Sequence, residues 1–543
     1  MVVNLVNKKW IPVIRRSGTR ETIAPSEMTT KIDDDPIIRI DAPRPDFNGA
    51  LVQFLIGIIQ TSMAPEDGEM RSELREDPPE EITLKAALHP FEEAFHLGGE
   101  KRRFMQDPTV KDTDRWLIDS LLIEMPPSDI SIKDNRDLFV KRSTVRAICP
   151  ECAAQALYTI QTNSPAGGRG HMTSIRGGGP LTTIIAGDTL WDTVVLNILL
   201  EGESGVQNQP KSPDAKIFPW MGEIQTSENG MTVTPKDAHP YHAYFGMPKR
   251  IYLDDGDPKQ GICDLCGVTS QKLMTHYWAR PYGIKYSDWT HPLSPYYLKA
   301  DKSGDMWLPV HPQEGGITYQ YWLGLVQATL SDKKMIAKVV SSYYRHAGVD
   351  DSIHPVLWAF GYDMDNKKAR GWYESRMPLI EIAPGCKEIY EEEIRSIILT
   401  AEMLSYNVAG QTKSALFDNP KDVKEISIVK RQFWEQTEPL FYTAIRKLQR
   451  AIEAGEQTES IRESWLQSAR EATLEIFDNY VKIPLLGEFD PRRAVKARSL
   501  LLYLNSRRNP MVRQKLKLIP TDEEREREEA GKSKRRGRKG DSS

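Results

Sequence analysis

Two Cys-x-x-Cys pairs constrain the fold of this chain more than any other feature of its sequence. The first pair is Cys149-Pro-Glu-Cys152, and the second is Cys263-Asp-Leu-Cys266 followed by Gly267. Each short spacing lets two thiolates occupy two corners of the tetrahedron that zinc prefers. Four protein thiolates fill this tetrahedron and leave no position for water or substrate. The sequence therefore predicts a structural Zn²⁺ that clamps together the two ends of the segment between the pairs.

A redox role is the alternative interpretation of the same cysteines, with each pair acting as a separate thiol–disulfide motif. Such motifs require a thioredoxin-like strand–helix context, which we do not find around either pair. The chain has only five cysteines among 543 residues. In a reducing compartment they are not expected to form a disulfide framework. The fifth, Cys386, is predicted to be an ordinary small buried side chain.

Composition indicates a globular chain with more than one domain. Apolar residues make up 39% and charged residues 27% of the chain, as in a globular protein. Its length of 543 residues exceeds what one hydrophobic core usually supports. Its longest apolar stretch, residues 51–59, is too short for a bilayer span. The first residues lack a signal-peptide pattern, so we expect a cytoplasmic protein without membrane contact. A net charge of −4 neither favours nor excludes nucleic acid, because local patches make phosphate contacts.

The fold class is predicted to be α+β, with three segments along the chain. Residues 1–385 mix short β-like runs such as Leu181–Ala186 with helical patches, which indicates an irregular α/β domain carrying the zinc. Residues 386–520 carry apolar residues at helical spacing and predict a C-terminal four-helix bundle. The charged tail, 521–543, is too polar to form a core and is predicted to be disordered. Apolar positions that define the first and third helices of the bundle are Ile394, Ile397, Ile398, Ala401 and Leu404, and Ile461, Trp465, Ala469, Ala472, Ile476 and Tyr480.

A glycine-rich stretch, Pro165–Gly179, lies between the cysteine pairs. Its glycines permit close backbone approach and positive φ, and Arg169 and Arg176 offer forked donors for phosphates or base edges. A surface loop without function is the alternative. A mononucleotide-binding loop is excluded because no Gly-Lys-Ser/Thr follows.

Aromatic and cationic residues alternate in Tyr277–Tyr286, just after the second pair. Surfaces that grip nucleic acids often have this composition, and structural packing is the alternative explanation. A third candidate is Gly361–Arg370, which is polar and basic between core-like sequences and predicts an exposed turn.

Catalytic motifs are absent from the sequence. There is no helical His-Glu-x-x-His, no histidine–aspartate cluster and no nucleophile elbow. The acidic turns Asp254–Asp257 and Asp363–Asp365 could hold a divalent ion, so a metal-dependent nuclease is one alternative function. A purely structural assembly subunit is another. We expect a protein that is not an enzyme.

Several short motifs occur in an order that resembles the CasA family, the large subunit of the type I-E CRISPR surveillance complex Cascade. The resemblance runs from residue 4 through the helical C-terminal segment and ends near Pro520. Its motifs, besides the cysteine pairs, are Asn4-Leu5, Trp10-Ile11-Pro12-Val13, Phe104-Met105-Gln106, Ser174-Ile175-Arg176-Gly177-Gly178, Pro180-Leu181-Thr182-Thr183 and His291-Pro292-x-Ser294-Pro295.

This resemblance implies a function. Members of the family recognise the protospacer-adjacent motif in double-stranded DNA, chiefly from the minor groove, and help to part the strands for the guide. The CRISPR RNA then reads the target sequence by base pairing. The implied partners are the other Cascade subunits with CRISPR RNA, the target duplex, and a separate nuclease–helicase that the subunit recruits.

The resemblance also assigns roles to individual residues. The family's glycine loop falls on Gly167, Gly168, Arg169 and Gly170, with Arg169 where the best-known relative has glycine, so the resemblance does not specify the preferred DNA motif. Its minor-groove finger falls on Arg280, counted back from His291-Pro292, or on Lys285 if a gap intervenes.

Two further loops are assigned in the same way. The strand-separating wedge falls on Asn366, Lys367, Lys368 and Ala369, where the family's glutamine is missing and the loop is longer. A loop that contacts the complex and the guide end places Phe139, Lys141 and Arg142 as contacts.

Overall fold

A computed structural model gives the fold of the chain. It describes residues 3–125, 144–165, 167–206, 208–300, 304–327, 333–346, 355–365, 368–423, 426–482 and 490–526. The chain divides into two compact units. The first, called the larger unit below, comprises Met1–Ile317 and Gly324–Leu379, and the second, called the helical unit, comprises Thr318–Leu323 and Ile380–Ser543.

Helices and short strands alternate irregularly along the larger unit, whereas long helices follow one another in the helical unit. The helices of the described residues are α1 (Pro45–Ser62), α2 (Gly68–Glu76), α3 (Glu81–Leu88), α4 (Pro150–Asn163), α5 (Leu190–Leu196), α6 (Glu201–Ser204), α7 (Trp322–Val326), α8 (Lys338–His346), α9 (Lys387–Leu416), α10 (Ser427–Glu453), α11 (Glu459–Val481), α12 (Pro491–Leu504) and α13 (Pro510–Leu516). The strands are β1 (Ile11–Arg15), β2 (Arg20–Ile23), β3 (Ile37–Ile40), β4 (Arg115–Leu117), β5 (Thr182–Ala186), β6 (Arg250–Leu253), β7 (Lys259–Ile262), β8 (Thr269–Leu273), β9 (His276–Arg280), β10 (Tyr296–Lys299), β11 (Met306–Pro309), β12 (Lys334–Met335), β13 (Val356–Asp365) and β14 (Lys368–Pro378).

The strands form several small antiparallel sheets, which confirms the predicted mixed α+β class. Their orders are β2-β1-β3, β11-β10-β12, β14-β13-β5, β4-β9-β6 and the hairpin β7-β8. The buried run predicted at Leu181–Ala186 becomes β5, which pairs with β13 so that Thr182 lies opposite Phe360. Two of these sheets, β14-β13-β5 and β4-β9-β6, supply the segments of the candidate site.

Helix α1 is the centre of the larger unit. Nearly every side chain from Phe47 to Thr61 is buried, so the helix packs on all sides. The ring of Phe54 lies 5.3 to 5.9 Å from four other aromatic rings, and two glycines let aromatic residues approach the helix backbone. This core fixes α1 against α4, the helix that begins within the first cysteine pair.

The helical unit has the helical periodicity that the sequence predicted. The five apolar positions from Ile394 to Leu404 are all buried on α9, and α9 contacts each of α10 to α13. Helix α12 begins as the Asp490-Pro491 pair indicates, with the Asp490 side chain accepting a hydrogen bond from the Arg492 N–H. Among the helices of the described residues, none combines the length and the apolar composition that crossing a bilayer requires.

The short segment Thr318–Leu323 joins the helical unit through Tyr319. The Tyr319 ring stacks on Phe441 with the ring centroids 4.4 Å apart, and its hydroxyl lies 2.9 Å from Thr437 Oγ1. This buried contact explains why a segment distant in sequence belongs to this unit.

Candidate metal centre and nucleic-acid interface

The four paired cysteines converge. Their sulfur atoms all lie within 4.8 Å of one another, although the two pairs are far apart in the sequence. Cys149 Sγ lies 3.7 Å from Cys266 Sγ, close to the sulfur–sulfur distance of about 3.8 Å that a zinc tetrahedron with ~2.3 Å bonds requires. Three of the cysteines are buried, and Cys266 is exposed.

Each knuckle is shaped by its local sequence. Cys149 is the N-cap of α4, with Pro150 at the first helical position, and its sulfur accepts the Cys152 N–H at 3.4 Å. In the second knuckle Gly267 adopts a φ of +73°, which favours glycine, and its N–H bonds to the Cys263 carbonyl. The first pair therefore opens a helix, and the second closes the turn of the β7–β8 hairpin.

Additional hydrogen bonds hold the two knuckles together. Asp264 Oδ2 accepts the backbone N–H groups of Arg146 and Ala147 at 2.7 and 2.8 Å. Ile148 and Met274 exchange two backbone hydrogen bonds as an isolated bridge. Zinc would thus join segments that already pair through their backbones.

The chemistry of the cluster fits zinc. Hydrogen bonds to the sulfurs of Cys149 and Cys263, together with burial, raise the pKa of the Cys152 thiol. Four crowded sulfurs cannot all ionise alone, and a divalent cation would stabilise the thiolate forms. The cluster is therefore compatible with the predicted structural zinc, which these four cysteines would hold.

The glycine loop, Gly167–Gly170, has an exposed tip and a buried base. Gly168 and Arg169 are exposed, and no atom lies within 4 Å of the position of an added Gly168 Cβ. Gly170 is buried with a φ of +80°, and an added Cβ would lie 2.9 Å from Pro281 Cβ. The loop thus combines an unobstructed glycine, an exposed guanidinium and a tightly packed base.

The turn that follows β9 contacts this base directly. The Tyr282 N–H donates to the Gly170 carbonyl at 2.6 Å, two residues after Arg280. Arg280 and Lys285 are both exposed, as finger residues must be. Tyr282 lies two residues after Arg280 and three before Lys285, so this hydrogen bond does not choose between the two cations.

Structural packing explains part of the aromatic–cationic stretch. Tyr277 and Ile284 are buried, and the Tyr286 hydroxyl lies 3.0 Å from His242 Nε2 and accepts the Met247 N–H. Structural packing therefore accounts for part of the aromatic content. Arg280 and Lys285 are exposed and remain candidates for a nucleic-acid contact.

The expectation that Arg176 offers donors to DNA is wrong. Its side chain is 2% exposed, and its guanidinium donates to Thr182, Ser294 and Gln53 at 2.9, 3.1 and 2.5 Å. Burial lowers the pKa of Arg176 to about 10. Arg176 instead ties the segment after the glycine loop to α1, to β5 and to the His291–Ser294 motif.

The exposed turn predicted at Gly361–Arg370 is also wrong for its first residues. Gly361, Tyr362 and Asp363 are buried in β13, where they pair with β14 and where the Tyr362 hydroxyl donates to Asp46 on α1. An added Cβ on Gly361 would lie 2.4 Å from the Pro180 carbonyl oxygen, so the strand packs tightly on the segment that follows Arg176.

The wedge assignment falls between β13 and β14. Asn366 and Lys367 lie outside the described residues, whereas Lys368 and Ala369 begin β14. Next to them, Arg370 forms a bidentate ion pair with Asp363, with N–O distances of 3.0 and 2.7 Å. Three other assigned residues lie outside the described ranges, namely Phe139, Lys141 and Arg142.

Arginines pair with three of the acidic residues that were candidates for a divalent ion. Asp254 pairs with Arg115 at 2.6 Å and Asp255 with Arg103 at 3.1 Å, as Asp363 does with Arg370. Within the part of the chain that the structure describes, the four cysteines are the only cluster suited to holding a metal. The geometry therefore gives no support to a magnesium or manganese site at these turns.

Lys249 is a residue near the glycine loop that sequence reasoning missed. It directly precedes β6, and its Nζ lies 3.4 Å from the Pro165 carbonyl oxygen. A lone lysine after Met-Pro has no motif around it, so the sequence contained no signal that could have found it.

Comparisons with known structures define the fold. Thermus thermophilus CasA (Cse1) matches with a TM-score of 0.63 and 16% identity, covering 93% of this chain and 98% of that chain. Thermobifida fusca Cse1 matches with a TM-score of 0.65 and 15% identity, covering 95% and 98%. A chain of a CRISPR RNA-guided surveillance complex matches with a TM-score of 0.66 and 14% identity, covering 93% and 100%.

The class of protein is thus one with the CasA (Cse1) fold and a four-cysteine site. The family model described as CRISPR-associated protein Cse1 matches residues 4–476. The chain belongs to the Cse1 family, which confirms the family that the ordered motifs predicted.

Proposed function

We propose that this chain is the large, non-catalytic subunit of an RNA-guided CRISPR surveillance complex and recognises the protospacer-adjacent motif in double-stranded DNA. Its family membership supports the assembly role. The observation that carries the DNA-reading role is the hydrogen bond between Tyr282 and Gly170, which joins the glycine loop to the turn after Arg280. Two exposed guanidiniums, of Arg169 and Arg280, are thereby held on connected segments.

These two segments suit a minor groove. The absence of a side chain at Gly168 lets the backbone approach base edges, and a narrow groove attracts an arginine through its negative potential. Arg280 would enter the groove as the finger, with Lys285 as the alternative, and Arg169 would contact a phosphate or base edge next to it. An arginine in the loop, where the best-known relative has glycine, would change the preferred motif.

The β13–β14 hairpin is proposed to act after motif recognition. Residues 366–369, which the family resemblance assigns to the wedge, would part the strands next to the motif, and the CRISPR RNA would then pair with the target strand. Phe139, Lys141 and Arg142 would contact the other Cascade subunits and the guide end. A nuclease–helicase recruited to the complex would cut the DNA.

The domain roles follow from this proposal. Residues 1–385 would form the DNA-recognition domain, held by a structural zinc, and residues 386–520 a four-helix bundle that docks partner subunits. The tail at 521–543 would remain disordered. The protein would work in the cytoplasm, where target DNA and CRISPR RNA are both present.

Binding of motif-containing duplex by the reconstituted complex tests the proposal. We expect Arg280→Ala to lower the affinity for a motif duplex about tenfold or more, as expected for the loss of one good base-edge contact. The affinity for a duplex without the motif should change much less, so that discrimination falls. Lys285→Ala is the matched control and should change discrimination little.

The two variants distinguish a wrong choice of finger residue from a wrong DNA-reading role. If Lys285→Ala reduces discrimination and Arg280→Ala does not, the finger is Lys285. If neither variant, nor both together, alters motif-dependent binding, no finger lies in this turn and the DNA-reading role is wrong.

A further inference from the structure

The backbone of Lys249 is fixed next to the glycine loop. Gln161, buried on α4, accepts the Lys249 N–H at 3.0 Å and donates its own side-chain N–H to the Lys249 carbonyl at 2.9 Å. From this fixed backbone the side chain reaches the Pro165 carbonyl, with its Nζ 3.4 Å away. The ammonium therefore lies at the start of the glycine-rich stretch.

The turn after Arg280 also packs against the backbone at Pro248 and Lys249. An added Cβ on Gly283 would lie 2.0 Å from the Pro248 carbonyl oxygen and 3.1 Å from the Lys249 nitrogen, so only glycine fits there. β6 and β9 also pair so that Arg250 lies opposite Arg280. Lys249 is thus where the two proposed DNA-reading segments converge.

The charge of Lys249 is not balanced by any carboxylate in the described part of the chain. Among the described residues Lys249 forms no ion pair, and its ammonium has one acceptor there, a carbonyl at 3.4 Å. A lysine ammonium has three donors, so donors remain for a ligand. Burial lowers the pKa of Lys249 to about 8. A partly buried cation without a counter-ion is unfavourable, and an anion bound beside it would offset that cost.

We propose that Lys249 forms a subsite for a DNA backbone phosphate at the junction of the glycine loop and the finger turn. This inference rests on the proposed DNA-reading function and adds a contact to it. A phosphate is the expected anion because the adjacent exposed guanidiniums of Arg169 and Arg280 would both face the DNA backbone or groove. Such a contact fixes the register of the protein on the duplex and does not read sequence.

Salt dependence of duplex binding distinguishes a phosphate contact from a structural one. The complete reconstituted complex would carry Lys249→Met, Lys249→Arg or the control Lys85→Met, which removes an exposed lysine on α3. Dissociation constants would be measured for duplexes with and without the motif over a series of KCl concentrations.

We expect Lys249→Met to reduce the slope of log affinity against log salt by about 0.9, the value for one phosphate contact in duplex DNA. Affinity at low salt should fall about tenfold on both duplexes, because one charge-assisted hydrogen bond is lost. Discrimination between the duplexes should stay constant. Lys249→Arg should keep the slope, and Lys85→Met should leave slope and affinity unchanged.

Other results would overturn the subsite. An unchanged slope in Lys249→Met, or a slope reduced equally by Lys85→Met, shows that Lys249 contacts no phosphate. If Lys249→Met does not assemble, Lys249→Gln retains a polar group for the Pro165 carbonyl and takes its place. If the wild-type complex binds both duplexes equally, the proposed motif recognition fails, and the salt slopes still decide the phosphate contact.

Discussion

Single glycines determine how closely the segments of the candidate site approach one another. Gly361 on β13 lies against the Pro180 carbonyl, and Gly170 lies against the turn after β9. Both contacts are to residues far away in the sequence, and both leave no room for a methyl group. Each segment can therefore take its position only because the residue at the contact is glycine.

Gly361→Ala tests this at one residue, and Gly371→Ala on the neighbouring strand is its matched control. The added Gly361 Cβ would lie 2.4 Å from a backbone oxygen, whereas no atom lies within 4 Å of an added Gly371 Cβ. We expect Gly361→Ala to lower the free energy of unfolding by about 2 kcal/mol or more, and Gly371→Ala to change it by less than ~0.5 kcal/mol. Denaturant unfolding measures both, and equal effects would contradict the close packing.

At the scale of single elements, the β13–β14 hairpin carries the proposed wedge, so contacts between its two strands would position that wedge. Asp363 is buried near the tip of the hairpin, and Arg370 across from it forms two hydrogen bonds to its carboxylate. The pairing register also shifts between Asp363 and Met364, which marks a bulge. This ion pair therefore fixes the two strands just before the proposed wedge.

Arg370→Gln would leave the Asp363 carboxylate buried without its cation, which costs about 3 kcal/mol when an ion pair is fully buried and less where the arginine is partly exposed. We expect motif binding to persist and strand opening to fall, measured by the fluorescence of 2-aminopurine placed next to the motif. Asp363→Asn combined with Arg370→Gln removes both charges and should restore part of the opening. If the single and the double variant both open DNA like wild type, the pair does not position the wedge.

At the scale of the whole molecule, the four-cysteine cluster lies in one compact unit, and each unit has its own hydrophobic core. The cysteine cluster lies within the larger unit and joins the start of α4 to the β7–β8 hairpin. The helical unit has its own buried core along α9. Loss of zinc should accordingly destabilise the larger unit and leave the helical unit unchanged.

The double variant Cys263→Ser, Cys266→Ser is expected to lose about one bound zinc per chain and to melt at a lower temperature. Hydrogen exchange should increase in α4 and in the β7–β8 hairpin, and should stay constant in α9 to α11. Cys386→Ser in the helical unit is the control and should retain the metal. Normal zinc content or unchanged protection in the double variant would show that these cysteines hold no structural metal.

Much of the site could be predicted where its chemistry is local. Two short cysteine spacings predicted a cluster suited to zinc, because neighbouring thiolates on one turn must point to one metal. Apolar spacing from Ile394 to Leu404 predicted a helix, and Asp490-Pro491 predicted where another begins, since capping and periodicity act within a few residues. The order of motifs predicted the family.

Tertiary structure alone decided which charged residues reach the surface. Arg176 lies in a glycine-rich stretch that suits a nucleic-acid loop, yet Gln53 and Ser294 bind its guanidinium inside the core. Lys249 has no motif, yet folding places its ammonium beside Pro165. The contacts of these side chains with Pro165, Ser294 and Gln53 span 84, 118 and 123 positions, and no local pattern encodes contacts over that separation. From the sequence alone we could predict the cysteine cluster, the helices and the family, whereas the packing of distant segments decided which cations face outward.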